Sequence, residues 1–274
     1  MTMQFPVVFH LFGLPVPAHA VFEALAWFTG FRLYLWLRRR TADSFSDQAR
    51  LSVLIGAAAG AGLGSKLLGL AEHPELWPLI AANPANLLAA KTILGGLLGG
   101  VIGVEIAKAA TGIQRSTGDL YVFPLLIAIM IGRIGCLLTG VGDGTWGDAT
   151  RFVLGYDAGD GVIRHPTPLY EIAFLAVLAG GLWLAQQRIS LRSGDLFKLF
   201  ILAYCAWRFV IEFLKPVTTY VFGINLNIVQ NIATREALTA RPGLSVLQIA
   251  ALAGFAVYAA WLCRRDRGGT DGGA

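Results

Sequence analysis

Five basic residues lie inside strongly apolar stretches of this 274-residue chain: Lys66, Lys91, Arg133, Lys198 and Arg208. Burying a charged side chain in a bilayer costs about 2.5–3.5 kcal/mol on insertion scales, so each residue needs a partner or a polar cavity. A guanidinium group binds phosphate oxygens through two parallel hydrogen bonds, which an ammonium group cannot match. The two arginines therefore indicate binding of the anionic headgroup of a phospholipid.

The two arginines differ in their local sequence. Arg208 has Glu212 four residues later, a spacing that places both side chains on one helix face and makes a structural ion pair plausible. Arg133 has no acidic residue within one turn of its own segment and lies between Gly132 and Gly135. For Arg133 we therefore favour a functional role over a structural one.

The predicted depths of the cations are similar. At a rise of about 1.5 Å per residue, Lys66 and Lys91 lie roughly 8 Å below the outer ends of their segments. Arg208 and Arg133 lie deeper, at roughly 10 and 12 Å by the same measure. The two lysines could equally well reach the outer headgroups or contact a bound lipid. Lys198 lies near the cytoplasmic end, where its side chain can reach water. Four cations are thus predicted in the outer half of the membrane.

A second group of reactive side chains lies where a loop enters an apolar segment. His165 is an imidazole in this loop, and its neighbours Arg164, Tyr170 and Glu171 make it a candidate acid, base or phosphate contact. Glu171 also suits the first turn of a helix, where a negative charge complements the helix dipole. The remaining histidines have no such neighbours in the sequence, and we expect no chemistry from His10, His19 and His73.

Membrane-spanning helices must position these side chains. Hydrophobic residues make up 55% of the chain and charged residues 14%, whereas a soluble domain carries about 25% charged residues. The composition excludes soluble globular, disordered, collagen-like and disulfide-scaffold proteins. We predict an all-α polytopic protein, one integral membrane domain over residues 1–274, with seven transmembrane helices at about 18–37, 51–71, 87–109, 119–141, 168–187, 196–215 and 245–263.

The distribution of basic residues predicts the orientation of these helices. Basic clusters follow the first, third, fifth and seventh segments, and they contain Arg38, Arg39, Arg40, Arg50, Lys108, Arg115, Arg188, Arg192, Arg264, Arg265 and Arg267. The other connections are much longer and hold only Arg151, Arg164, Lys215, Arg235 and Arg241. The positive-inside rule therefore places the N-terminus and the loops 142–167 and 216–244 outside, and the C-terminus in the cytoplasm.

Small residues, cysteines and net charge bear on how the helices pack, on cross-links or metal clusters, and on a nucleic-acid partner. The runs Gly60–Gly64 and Gly95–Gly100 carry small residues at four-residue spacing, which lets helix backbones approach closely or leave a cleft for lipid. Three cysteines far apart in the chain predict neither a disulfide framework nor a metal cluster: Cys136, Cys205 and Cys263. The net charge of +5 comes with no basic run interleaved with aromatics, so we expect no nucleic-acid partner.

Five motifs, taken in order, resemble those of the prolipoprotein diacylglyceryl transferase family. They are Gly95-Gly96-Leu97, Gly132-Arg133-Ile134-Gly135, Arg164-His165-Pro166 with Leu169-Tyr170-Glu171, Arg208-Phe209-Val210-Ile211-Glu212-Phe213, and Gly243-Leu244-Ser245 with Gln248. Each motif is short, but their ordered combination over the predicted helices two to seven is specific. The resemblance implies the same seven-helix fold.

The resemblance also implies a transferase of lipoprotein biosynthesis in the bacterial plasma (inner) membrane. The family moves the diacylglyceryl group of phosphatidylglycerol to the lipobox cysteine thiol in the signal peptide of a prolipoprotein, and glycerol phosphate leaves. Phosphatidylglycerol, the prolipoprotein and membrane lipid are then the expected partners, and no metal or other cofactor is required. Arg133 and Arg208 would stabilise the departing phosphate, and the substrate-binding residues would be Lys66, Lys91, Gly95, Gly96, Arg164, Tyr170, Glu171 and Glu212.

The chain departs from the family pattern at positions that bear on proton transfer. Leu94 stands where the family has a histidine just before the paired glycines, and a leucine cannot move a proton. After the arginine motif, Cys136, Thr139 and Asp143 replace two asparagines and a glutamate. We therefore expect His165 or Asp143 to take the proton from the acceptor thiol.

Two alternatives to this activity remain open. Leu94 also fits a non-catalytic relative that binds lipid or lipoprotein and has lost the base. A relative that acts on another acceptor thiol or another lipid fits as well, because Lys66 replaces a family arginine and offers a weaker phosphate contact.

Overall fold

The computed structural model describes residues 4–41, 46–73, 76–88, 90–114, 116–215, 220–221, 224–225 and 243–264. Most of the described chain is helical. Its α-helices are α1 (Ala18–Arg40), α2 (Asp47–Glu72), α3 (Leu76–Ala82), α4 (Ile93–Thr111), α5 (Val122–Thr139), α6 (Thr167–Arg188), α7 (Asp195–Ile211) and α8 (Val246–Arg264). Short 3-10 helices lie at Pro84–Leu88, Asp119–Tyr121, Gly140–Asp143 and Glu212–Leu214.

Strands are few and short, and they form antiparallel pairs. The pairs are β1 (Val8–Leu11) with β2 (Leu14–Pro17), β3 (Tyr156–Asp157) with β4 (Ile163–Arg164), and β5 (Tyr220–Val221) with β6 (Ile224–Asn225). The hairpin of β1 and β2 leads directly into α1. The Ala18 N–H, at the start of α1, donates to the Val7 carbonyl at 2.9 Å. The all-α prediction therefore missed these small hairpins but holds for the architecture.

Five helices of the described residues are long and apolar enough to cross a membrane: Asp47–Glu72, Ile93–Thr111, Asp119–Asp143, Thr167–Arg188 and Val246–Cys263. These match five of the seven predicted segments and confirm a mostly helical membrane protein. The first and sixth predicted segments are helical as α1 and α7, but α7 has 17 residues. Spanning by α1 and α7, and with it the total of seven, stays a prediction.

Large apolar side chains cover the outer faces of these helices. Leu63 is 63% exposed on α2, Val177 is 76% exposed on α6, and Val257 is 63% exposed on α8. Helices satisfy their backbone hydrogen bonds internally, so such faces suit hydrocarbon, where no water is present to pair with the backbone. These helices are therefore built to face lipid.

The third predicted segment begins later than expected. Helix α4 begins at Ile93, because the Thr92 hydroxyl caps it by accepting a hydrogen bond from the Gly95 N–H at 3.1 Å. Thr92 itself is extended, and Lys91 lies before the helix. The expectation that Lys91 lies inside this helix, roughly 8 Å below its outer end, is therefore wrong.

Several of the basic residues that predict the orientation lie beyond the described ranges. These are Arg115, Arg235, Arg241, Arg265 and Arg267, together with most of the predicted loop 216–244. The orientation of the chain stays a prediction.

The chain divides into two compact units. Unit 1 comprises Met1–Asp43, Ser116–Ala203 and Phe213–Pro216, and unit 2 comprises Ser44–Arg115, Tyr204–Glu212 and Val217–Ala274. The boundary passes through α7. That the whole chain acts as one integral membrane domain stays a prediction.

Unit 1 is organised around α1, α5 and α6. The Tyr34 ring on α1 stacks on the Tyr121 ring just before α5, with ring centroids 4.9 Å apart. Asp119 begins the 3-10 turn before α5 and accepts hydrogen bonds from the N–H groups of Gly194 and Phe197 at 2.5 and 3.0 Å. Asp119 thereby caps the start of α7 and ties it to α5.

Unit 2 is organised around the close packing of α2 on α4. A Cβ atom added to Gly60 would overlap the carbonyl oxygen of Gly99 and lie 2.9 Å from the Cα atom of Gly103. The packing interpretation of the two glycine runs is thus correct for these residues, because the two backbones meet without side chains between them. Gly62 belongs to the same run, but a Cβ atom there would meet nothing within 4 Å.

This difference gives a matched pair of substitutions. We expect Gly60→Ala to lower the stability of the purified protein by about 1–3 kcal/mol, because the added methyl group must push the two helices apart. Gly62→Ala should leave stability unchanged or raise it slightly, because alanine restricts the unfolded chain. Thermal unfolding in detergent measures both, and equal melting temperatures for the two variants would contradict the backbone contact.

Candidate active site

The buried charge at the centre of unit 1 is neutralised by a neighbouring helix. Arg133 on α5 is 5% exposed, and its Nη2 atom lies 2.8 Å from Oε2 of Glu171, which is 2% exposed on α6. A buried ion pair recovers the cost of desolvation only when its geometry is good, and removing one partner leaves an uncompensated charge. The pair therefore fixes the guanidinium group and links α5 to α6.

The role expected of Glu171 as a helix-start charge is wrong. Helix α6 begins at Thr167, with Pro168 as its second residue, so Glu171 lies beyond the first turn. Its carboxylate contacts Arg133 in the interior instead. Sequence spacing could not show this, because the acid that pairs with Arg133 comes from a different helix.

A polar cluster continues from Arg133 toward the start of α1. The Arg133 Nη1 atom donates to Sγ of Cys136 at 3.7 Å. The ligand atoms of Cys136, His19 and Asp143 all lie within 4.8 Å of one another, and Nδ1 of His19 lies 3.3 Å from Oδ1 of Asp143. Glu23 lies on the other side of the His19 ring, 3.6 Å from Nε2.

The expectation that His19 lacks reactive neighbours is wrong. His19 lies in the first turn of α1, while Cys136 and Asp143 lie at and just after the end of α5. These residues are far apart in the chain, and no local spacing connects them. Cys136 and Asp143 depart from the family pattern, and this departure made Asp143 a candidate in the sequence. It did not identify His19 as the neighbour of Asp143.

The loop before α6 brings His165 and Tyr170 together, as the sequence indicated. The Nδ1 atom of His165 lies 3.1 Å from the Tyr170 hydroxyl oxygen, at hydrogen-bond distance. The His165 N–H donates to the Asp148 carbonyl at 3.0 Å, and the Gly147 N–H donates to the His165 carbonyl at 3.1 Å. His165 is thus a positioned, partly buried imidazole.

Arg164 has partners of its own in this loop. Its Nη2 and Nε atoms donate to Oδ2 of Asp160 at 2.6 and 3.1 Å, and its guanidinium carbon lies 4.2 Å from the centre of the Trp146 ring. Partial burial opposes the charged form of Asp160, but hydrogen bonds from Arg164 and the Val162 N–H outweigh it, so the pKa of Asp160 lies below its ordinary value. The contacts of Arg164 are those of a residue that shapes the loop.

Two other side chains of the same loop have raised pKa values. Burial raises the pKa of Asp148, although Arg164 and His165 oppose the shift. Burial, helped by the nearby Asp143, raises the pKa of Tyr156 to about 12, so its phenol stays neutral at ordinary pH.

Unit 2 contains the second predicted arginine and its acid. Arg208 is 4% exposed, and its Nη2 atom lies 2.9 Å from Oε2 of Glu212, which is also 4% exposed. The i,i+4 pair read from the sequence is therefore formed. Gln248 of the last motif donates to the Phe209 carbonyl at 3.3 Å and fastens the start of α8 to the end of α7.

The other residues predicted to bind substrate lie around α2 and the start of α4. Lys66 donates to the Leu88 carbonyl at 3.0 Å. A Cβ atom on Gly95 would overlap the Gly64 carbonyl, whereas one on Gly96 would meet nothing closer than 3.8 Å. Leu94, where the family has histidine, is 1% exposed.

The chain is similar to proteins of a known family over most of its length. The family described as prolipoprotein diacylglyceryl transferase matches residues 6–263. A phosphatidylglycerol–prolipoprotein diacylglyceryl transferase of Dehalococcoides mccartyi is 31% identical over 227 residues, which cover 80% of this chain and 85% of that protein. Proteins of the same name from Clostridium tetani and Idiomarina loihiensis are 28% and 29% identical, and each alignment covers 77% of this chain and 85% and 80% of the relative.

The buried pair of α5 and α6 gives a prediction for stability. Glu171→Gln should destabilise the protein by about 3–5 kcal/mol, because it leaves the Arg133 charge buried and uncompensated. The double variant Arg133→Met with Glu171→Leu should recover most of this loss, since it buries no charge.

An exposed ion pair serves as the control. Asp47 pairs with Arg50 at 3.1 Å but is 89% exposed, so Asp47→Asn should cost less than about 1 kcal/mol. Melting temperatures in detergent test this order, and a double variant as unstable as Glu171→Gln would contradict it.

Proposed function

This chain belongs to the prolipoprotein diacylglyceryl transferase family, and we propose that it transfers a diacylglyceryl group from phosphatidylglycerol to the lipobox cysteine thiol of a prolipoprotein. A thioether forms and glycerol phosphate leaves. The family match over residues 6–263 and the names of the relatives support this activity. We assign the enzyme to the plasma (inner) membrane of a bacterium as a multi-pass protein.

The observation that carries the proposal is the fixed guanidinium group of Arg133. It lies in the interior of an apolar helix, where Glu171 holds one side of it at 2.8 Å. A guanidinium group has five N–H donors in a rigid plane, so it can donate to a carboxylate on one edge and to phosphate oxygens on another. Negative charge accumulates on the departing phosphate, and a fixed donor in a poorly hydrated site stabilises it.

The acceptor thiol must also lose its proton. The thiolate is the nucleophile in thiol alkylation, and a neutral thiol reacts slowly. His165, positioned by Tyr170, and Asp143, positioned beside His19, are the residues of unit 1 that we propose for this step. Leu94 offers no acid or base.

We propose substrate contacts for the remaining predicted residues. Arg208 would stabilise phosphate as Arg133 does, with Glu212 restraining it. The others are Lys66, Lys91, Gly95, Gly96, Arg164, Tyr170 and Glu171. A non-catalytic binder is the weaker hypothesis, because the relatives compared above are named as transferases.

We also propose seven spans with the N-terminus outside and the C-terminus in the cytoplasm. Single cysteines introduced at Asp160 and at Ser193, in a chain without its own cysteines, test this topology. An impermeant thiol reagent added to intact cells should label position 160 and spare position 193. Labelling of position 193 alone would reverse the orientation.

Transfer itself is tested with purified protein, phosphatidylglycerol vesicles and a peptide that contains a lipobox cysteine. The peptide should gain the mass of a diacylglyceryl group through a thioether bond. Arg133→Lys should lower kcat by about 10²–10³-fold, the loss expected when a donor to the developing charge is removed. Arg188 is exposed at the end of α6, and Arg188→Lys is the matched control with unchanged rate. Full product yield from Arg133→Ala would contradict the mechanism.

A further inference from the structure

A mixed set of metal-binding side chains lies at the end of α5 in unit 1. Its members are a thiol, an imidazole and a carboxylate, contributed by Cys136, His19 and Asp143. Their ligand atoms lie within 4.8 Å of one another, close enough for small side-chain rotations to bring all three to one ion. Sulfur, nitrogen and carboxylate ligands together suit Zn²⁺. In catalytic sites this ion has three protein ligands, and its fourth position is open to water or substrate.

The backbone holds these three side chains in place. The Val7 N–H donates to the Leu138 carbonyl at 2.9 Å, and the Ala18 N–H donates to the Val7 carbonyl at 2.9 Å. These two bonds tie the start of α1 to the end of α5. A Cβ atom on Gly135 would lie 3.2 Å from the Cα atom of His19, so the two helices meet closely at this point.

The surrounding residues are those that orient metal ligands. The Thr145 hydroxyl donates to Oδ2 of Asp143 at 2.6 Å, while Oδ1 of the same carboxylate faces His19. Glu23 lies 3.6 Å from Nε2 of His19, on the opposite side of the ring from Asp143. A carboxylate on the outer nitrogen of a metal-binding histidine fixes its tautomer and orientation. Arg133 donates to the Cys136 sulfur at 3.7 Å.

We propose that His19, Cys136 and Asp143 bind one Zn²⁺ or similar divalent ion, and that its fourth position holds the acceptor cysteine of the prolipoprotein as a thiolate. This proposal replaces two expectations from the sequence: that three distant cysteines predict no metal cluster, and that the family resemblance implies no metal. One cysteine is combined here with a histidine and an aspartate. The second half of this inference rests on the proposed function.

The chemical step balances without a further reactant. The acceptor thiol binds the ion and releases its proton to solvent, because a coordinating thiol is deprotonated. Its sulfur then forms a bond to the glyceryl carbon of phosphatidylglycerol. The bond from that carbon to the phosphate oxygen breaks, and glycerol phosphate leaves with the electron pair beside Arg133. Thiol activation by a metal needs no residue acting as general base, so it would replace the base role proposed above for His165 and Asp143. It would also account for a leucine at position 94.

Metal binding is tested on the untagged full-length protein in detergent. After incubation with Zn²⁺ and desalting, elemental analysis should find about one ion per chain, as for a single three-ligand site. His19→Gln, Cys136→Ser and Asp143→Asn should each lose the ion, and Glu23→Gln should weaken binding by about 10-fold or more. His10→Gln and Cys263→Ser are the matched controls, because both residues are exposed.

A spectroscopic readout identifies the sulfur ligand. Co²⁺-loaded protein should show a thiolate-to-metal charge-transfer band that Cys136→Ser abolishes and Cys263→Ser retains. A wild-type protein that takes up no ion, or an ion whose binding and spectrum are unchanged in Cys136→Ser, would overturn the metal site.

The role of the ion in transfer is tested separately with phosphatidylglycerol vesicles and a lipobox peptide. Chelation should abolish transfer, and added Zn²⁺ should restore it. Full activity of the metal-free protein would overturn thiol activation by the ion and leave the proposed function standing. A protein that binds the ion through Cys136 but transfers nothing under any condition would overturn the proposed function and leave the metal site standing.

Discussion

A positive charge inside an apolar helix must be neutralised by another part of the protein, and this constraint organises unit 1. Arg133 cannot reach water from its position in α5 without a polar path, and Glu171 of α6 supplies the opposite charge at 2.8 Å. The pair determines which faces of α5 and α6 meet. It also holds the guanidinium plane next to Cys136.

The polar interior of unit 1 is continuous around this pair. Arg133 contacts Glu171 on one side and Cys136 on the other, and Cys136 adjoins His19 and Asp143. A thiol-alkylating enzyme needs a stabiliser for the leaving phosphate and a means to form the thiolate. We propose neighbouring groups of unit 1 for both requirements. Leu94 stands where the family has a histidine. For the proton transfer that this histidine would perform, unit 1 contains other candidate residues.

Sequence reasoning succeeded where interactions are local and failed where they join distant segments. The Arg208–Glu212 pair followed from helical spacing, and the five long apolar helices followed from their length. The partner of Arg133 and the neighbours of His19 come from other elements, which no periodicity reveals. The start of α4 depended on a single threonine cap, a local detail that outweighed the apolar stretch before it.

We propose that Arg133 binds the phosphate of phosphatidylglycerol within the membrane. Solid-state NMR that recouples ³¹P to ¹⁵N tests it most directly, on arginine-labelled protein in phosphatidylglycerol bilayers. Lipid phosphorus should dephase a guanidinium signal that disappears in Arg133→Lys and persists in Arg188→Lys. Identical dephasing in the wild type and Arg133→Lys would rule out this binding, because the phosphate would then lie elsewhere.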